Sequence, residues 1–114
     1  MEVLTIPEYE RDMKRYVKRF RTLEADIDEV INIIRKKPDQ RPPFSHRIDG
    51  LGIRTCVIKV KKIACRSMKG KGLNSGLRLV YAHFEKEERI VLVEVYHKSD
   101  KDMEDRERIL RNFK

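Results

Sequence analysis

Two apolar stripes at helical spacing stand almost back to back near the start of this chain, and neither can be buried by the other alone. Tyr9, Met13, Tyr16, Val17 and Phe20 recur every three or four residues with charges between them, and Leu23, Ile27, Val30, Ile31 and Ile34 repeat the pattern. Pro7 suits a first helical turn, where its missing N–H costs nothing. Thr22 is a candidate N-cap for the second helix. Arg35, Lys36 and Lys37 suit the negative end of that helix's dipole, and Pro38 stops it. The short connection predicts an antiparallel helical hairpin. Both stripes are core faces, so the hairpin requires a sheet to lie on.

The rest of the chain supplies one. Val3 to Ile6 reads as a short strand ahead of the helices. Residues 38–52, with Pro42-Pro43, Asp49-Gly50 and Gly52, read as loop. Residues 53–67 alternate β-branched and basic side chains until Lys61-Lys62 breaks the alternation, which predicts a bulge or bend. A basic, glycine-rich loop follows over 68–76. Leu77 to Phe84 and Arg89 to Tyr96 then read as a hairpin around a polar turn. The second of these strands is apolar on both faces, which suits a central position. Ser99 is a candidate cap for a last helix, with Met103, Arg106, Leu110 and Phe113 along one side and Ile109 beside them. The expected order is β-α-α-β-β-β-α, an α+β fold with an N-terminal helical hairpin packed on an antiparallel sheet and a C-terminal helix.

At 114 residues the chain fits one domain, over residues 1–114. With 39% hydrophobic and 40% charged residues it can build one modest core, which leaves no room for a large enclosed cofactor pocket. The longest apolar run, Ile90 to Val93, is far too short to cross a bilayer, and no basic-then-apolar leader is visible. The cytoplasm is the expected compartment, with no membrane partner. Cys56 and Cys65 have no CxxC partner and are expected to stay reduced, as small hydrophobes.

The net charge is +8, and its placement is the informative part. Residues 50–84 hold eight basic side chains and no acidic one: Arg54, Lys59, Lys61, Lys62, Arg66, Lys69, Lys71 and Arg78. Elsewhere the chain is close to neutral. A long one-signed run of this kind attracts a polyanion, most commonly nucleic acid; an acidic protein partner could use the same surface.

Ser75-Gly76-Leu77-Arg78-Leu79-Val80-Tyr81 follows the basic strand and glycine-rich loop, and after a charged turn comes an apolar strand ending Val95-Tyr96-His97-Lys98-Ser99. In this order, with a charged last helix, the segments resemble the RelE/ParE toxin superfamily, by motif over about half the chain. The resemblance implies a microbial-ribonuclease-like α+β fold and a toxin held inactive by a cognate antitoxin protein. RelE-like members cut messenger RNA on the ribosome, with neither metal nor cofactor; ParE-like members inhibit DNA gyrase without being nucleases.

The nuclease reading needs a base at the RNA 2′-OH, cations at the phosphate and an acid at the leaving 5′-oxygen. Arg78 matches the family's phosphate-contacting arginine, and its planar fork suits that role. It is a charge in an otherwise apolar strand, facing with Val80 and Ala82; the alternative is a structural ion pair with Glu94. His97, whose side chain type titrates near neutrality, and Tyr96 are candidates for proton transfer, and Lys98 matches the lysine that follows this strand. Lys59, Lys61, Lys62, Arg66, Lys69 and Lys71 are candidates for RNA backbone phosphates. Two family features are absent: a further arginine just past Lys98 and a tyrosine in the last helix. Their absence keeps two alternatives open, a ParE-like gyrase inhibitor and an inactive basic binding module.

Overall fold

The computed structural model describes all residues 1–114. Its elements run β1 (Glu2–Thr5), α1 (Pro7–Val17), α2 (Leu23–Lys36), β2 (Ser45–Arg47), β3 (Cys56–Val60), β4 (Leu77–Phe84), β5 (Arg89–His97) and α3 (Arg106–Phe113). The α+β arrangement is the expected one. Five strands form one sheet in the order β1-β5-β4-β3-β2. The sheet is mixed, because β1 joins β5 in parallel while the other pairings are antiparallel. That difference follows from topology: α1 and α2 carry the chain away from β1 before the meander begins, so β1 does not share a hairpin with its neighbour.

The expected helical hairpin is present. Tyr9, Tyr16 and Phe20 of the first stripe and Leu23, Ile27, Val30 and Ile34 of the second are buried. They cover the sheet face that carries Leu77, Leu79, Tyr81, Ile58, Val60 and Val95, and the Tyr81 hydroxyl donates to Pro38 O at 2.7 Å. The opposite face carries Phe84, Ala82, Val80 and Arg78 of β4 in alternation. α3 covers only part of it, through the fully buried Ile109 and a Phe84–Phe113 ring contact at 5.9 Å.

Several local expectations are corrected. The 38–52 segment contains β2, a three-residue strand paired with β3. Regular strand structure in the 53–67 segment is confined to Cys56–Val60, and the break falls at Lys61-Lys62 as its pattern implied. Thr22 occupies the α2 N-cap position without capping; its hydroxyl donates instead to Asp26 at 2.6 Å and meets Ser67 at 2.8 Å. The last helix is capped by Asp105, which accepts from Arg108 N–H at 3.0 Å, rather than by Ser99. The intervening segment is held off a helical path by its own side chains: Asp100 to Tyr16 and Arg19, Lys101 to Glu94, Glu104 to Lys59. Met103 is consequently exposed rather than part of a stripe. Both cysteines are free, Cys65 buried and Cys56 half-buried. No helix is long and apolar enough to cross a membrane.

Candidate functional site

The half of the sheet that α3 leaves uncovered is where the candidate residues collect. Arg78 lies on β4 directly opposite Tyr96 of β5, Lys61 and Lys62 leave the end of β3, and Lys98 follows β5. Lys61, Lys62, Arg78 and Lys98 line one cavity of about 110 Å³, together with Leu73, Asn74 and Gly76. Four cations and no carboxylate face this space. Lys62 Nζ donates weakly to Asn74 Oδ1 at 3.4 Å.

Arg78 makes no ion pair. Its Nη1 donates to the carbonyls of Lys61 and Leu77, each at 3.2 Å, which leaves most of the five guanidinium N–H groups unused. The alternative pairing with Glu94 is not formed. Glu94 lies across from Val80 and is buried, with Lys101 on one oxygen and the Asp105 N–H on the other at 2.8 Å. Arg78 therefore stands at the cavity as a positioned cation without a counter-ion.

The Ser75-Gly76 pair shapes this wall. Ser75 Oγ donates to Ile63 O at 2.5 Å and accepts from Leu77 N–H at 3.1 Å, pinning the base of the glycine-rich loop. Gly76 has φ +87°, and a Cβ there would lie 2.7 Å from His97 Nε2. His97 thus packs on bare backbone, which only glycine permits. The imidazole is held at both nitrogens: Nδ1 accepts from Ser99 N–H at 3.0 Å and meets Ser99 Oγ at 2.7 Å, so Nε2–H donates to Ser75 O at 2.8 Å. It braces the corner between β4 and β5 and does not line the cavity. Tyr96 is 2% exposed, with Lys101 Nζ 5.0 Å from its ring centroid and no partner for its hydroxyl. Burial above all, then the charges of Glu104 and Glu94, push that phenol well above its ordinary range, against the pull of Arg78.

The six basic candidates divide in three. Lys61 and Lys62 are in the cavity. Lys69 and Lys71 project from the exposed loop beside Gly70 and Gly72, free of ion pairs. Lys59 and Arg66 are neutralised: Lys59 Nζ donates to Glu104 Oε1 at 2.7 Å, and Arg66 pairs with Glu29 and lies 3.9 Å from the buried Asp26. The 50–84 segment is free of acid in sequence but not in space, because α2 and the 99–105 segment bring carboxylates to it. Burial tends to raise the Glu104 carboxyl, but the hydrogen bonds and charge of Lys59, then Arg106, outweigh it and hold the group below its ordinary value. The sequence reading missed His46, Arg47 and Arg106, which come to the same face. Ser45-His46-Arg47-Ile48 does alternate, but four residues after a Pro-Pro pair are too short a signal. No three His, Cys, Asp or Glu side chains are grouped so as to hold a metal ion.

No family model matches this chain, and no curated protein does. Among solved structures, a metal-bound toxin from Helicobacter pylori is 19% identical, with 88% of this chain and 97% of that chain covered and a TM-score of 0.60. A copper-bound mutant toxin from the same organism is 18% identical over the same shares, at a TM-score of 0.56. At such identities the likeness lies in the backbone: this chain has the fold of those toxins.

Proposed function

We propose that this chain is the toxin of a toxin–antitoxin pair and acts as an endoribonuclease on ribosome-bound mRNA, in the cytoplasm, held inactive by a cognate antitoxin. The observation that carries the reading is the carboxylate-free cavity of Lys61, Lys62, Arg78 and Lys98 on an open sheet face. The likeness of fold to proteins named as toxins supports it. In the reaction the RNA 2′-oxygen attacks the adjacent phosphorus, its proton passing to a solvent water, and the bond to the 5′-oxygen breaks as that oxygen gains a proton from the acid beside it. The products are a cyclic phosphate and a free 5′-hydroxyl. Arg78 would hold the non-bridging oxygens as negative charge builds on them. An ammonium of Lys61, Lys62 or Lys98 would stand beside the leaving oxygen as proton donor. Docking on the ribosome would supply the in-line geometry that so small a protein does not.

A second reading, a non-enzymatic gyrase inhibitor, is favoured by one pair of observations. Tyr96 is buried and His97 is engaged at both nitrogens, so neither candidate for proton transfer is free in this conformation. Expression without a partner separates the two. The nuclease reading expects protein synthesis to fail first in pulse-labelling, with new mRNA ends inside coding regions. Early loss of DNA synthesis with translation intact and mRNA uncut would replace it with the gyrase reading.

A further inference from the structure

The cavity at Arg78 does not end at Lys61. The same lysine also lines a second hollow, of about 180 Å³, at the β2 end of the sheet. His46 and Arg47 of β2, with Asp49 just beyond, form one side of it; Lys59, Glu104 and Arg106 form the other. Lys59 and Arg106 are occupied by the Glu104 carboxylate, at 2.7 and 2.9 Å. His46 is different. It sits opposite Lys59 in the β2–β3 pairing, half-buried, and its ring makes no hydrogen bond or ion pair. It is a flat, unpartnered imidazole beside a cation site.

The two hollows differ in what they admit. The first has room for roughly four waters, about the size of a phosphoryl group. The second is larger and has the half-buried His46 side chain in its wall. Single-stranded RNA is bound in this manner, with cations on the backbone and splayed bases stacked on aromatic side chains or histidine. The geometry points to the second hollow as the seat of the base adjoining the phosphate held at Arg78, stacked on His46, with Lys61 spanning the step between them. This rests on the RNA reading above and extends it, since it gives the strand a direction across the sheet, from Lys98 towards β2.

NMR titration of the whole chain tests it, with inorganic phosphate and a single-stranded RNA trinucleotide as probes. Phosphate is expected to shift resonances of Lys61, Lys62, Arg78 and Lys98 but not those of the His46 ring. The trinucleotide is expected to shift those and the His46 ring as well. His46→Ala should weaken trinucleotide binding about tenfold and leave phosphate binding unchanged, while His46→Phe, which keeps a stacking face, should restore it. In cleavage of ribosome-bound mRNA, His46→Ala should raise KM with kcat within about twofold. A trinucleotide that shifts the Arg78 cavity but not His46, or a His46→Ala variant that loses kcat at unchanged KM, overturns the subsite and leaves the RNA reading standing. A trinucleotide that shifts neither hollow overturns both.

Discussion

Arg78 and Gly76 show how much a single position can be asked to do. Arg78 is anchored only by two backbone carbonyls, each contact worth about 1 kcal/mol net. Arg78→Ala should therefore move the melting temperature by no more than a few degrees and, on the proposed nuclease reading, lower mRNA cleavage by about two to three orders of magnitude. Arg78→Lys should recover part of that, lacking the bidentate fork. Full toxicity in an Arg78→Ala strain, scored beside a melting curve, would remove the residue from the chemistry. Gly76 carries the opposite kind of constraint. Gly76→Ala must accept a positive φ, costing about 1–2 kcal/mol, and must also displace His97. In urea denaturation a second change, His97→Ala, should recover the displacement part of that loss, a coupling that a purely backbone effect would not show. Arg78 was legible in the sequence because a lone charge in an apolar strand has few explanations. The engagement of His97 was not, because its second partner, Ser75, lies 22 residues away and only the fold brings it to the ring.

At the scale of elements, the boundaries that sequence missed are those set by distant side chains. The α1 and α2 stripes were legible since periodicity is a local property. The start of α3 was not, since Ser99 looks like a better cap than it is until Asp100, Lys101 and Glu104 are drawn to three separate partners. The half of β5 beyond β1 is a comparable case. Its backbone is closed by a buried ion pair: Asp12 accepts from Val95 N–H at 3.3 Å and from Arg108 Nη1 at 2.6 Å, while Arg108 also donates to Val93 O at 2.9 Å. Val93 is the residue skipped in the pairing of β5 with β4, so α1 and α3 together satisfy a strand edge at its bulge. Asp12→Ala leaves a buried guanidinium and should cost about 3–5 kcal/mol in urea denaturation. Glu104 ties the 99–105 segment to β3, and its pH dependence has a definite sign. Its folded value is depressed, so its stabilisation is whole above the ordinary glutamate value of 4.5 and is lost as the pH falls below that. Glu104→Gln should lower stability near neutrality by about 1.5–3 kcal/mol and make the acid limb of the melting profile shallower.

For the molecule as a whole, the basic excess matters less than which cations remain free. Had sequence charge alone governed binding, all six candidate lysines and arginines would contribute equally. Lys59 and Arg66 already have carboxylates, whereas Lys69 and Lys71 have none. Binding to ribosomes or single-stranded RNA should fall steeply with salt, with a logarithmic slope of about 0.7 per phosphate neutralised on a single strand. Replacing Lys69 and Lys71 with Ala should flatten that slope by about one unit or more. Replacing Arg66 with Ala should leave it nearly unchanged. An equal effect from both variants would show that the Glu29 pairing does not hold in solution.

The parallel pairing of β1 with β5 also bears on how the protein comes off the ribosome that makes it. Residues 2–5 lie in register with 89–92, Asp12 has its guanidinium at 108, and Tyr16 has its carboxylate at 100. The first helix can therefore make its full set of contacts only after residue 108 has cleared the exit tunnel. Contacts so far apart in sequence are slow to form. A nascent chain stalled before that point should lack the closed sheet edge. Force-profile measurements on arrested chains of increasing length should register the final collapse only once that segment is free.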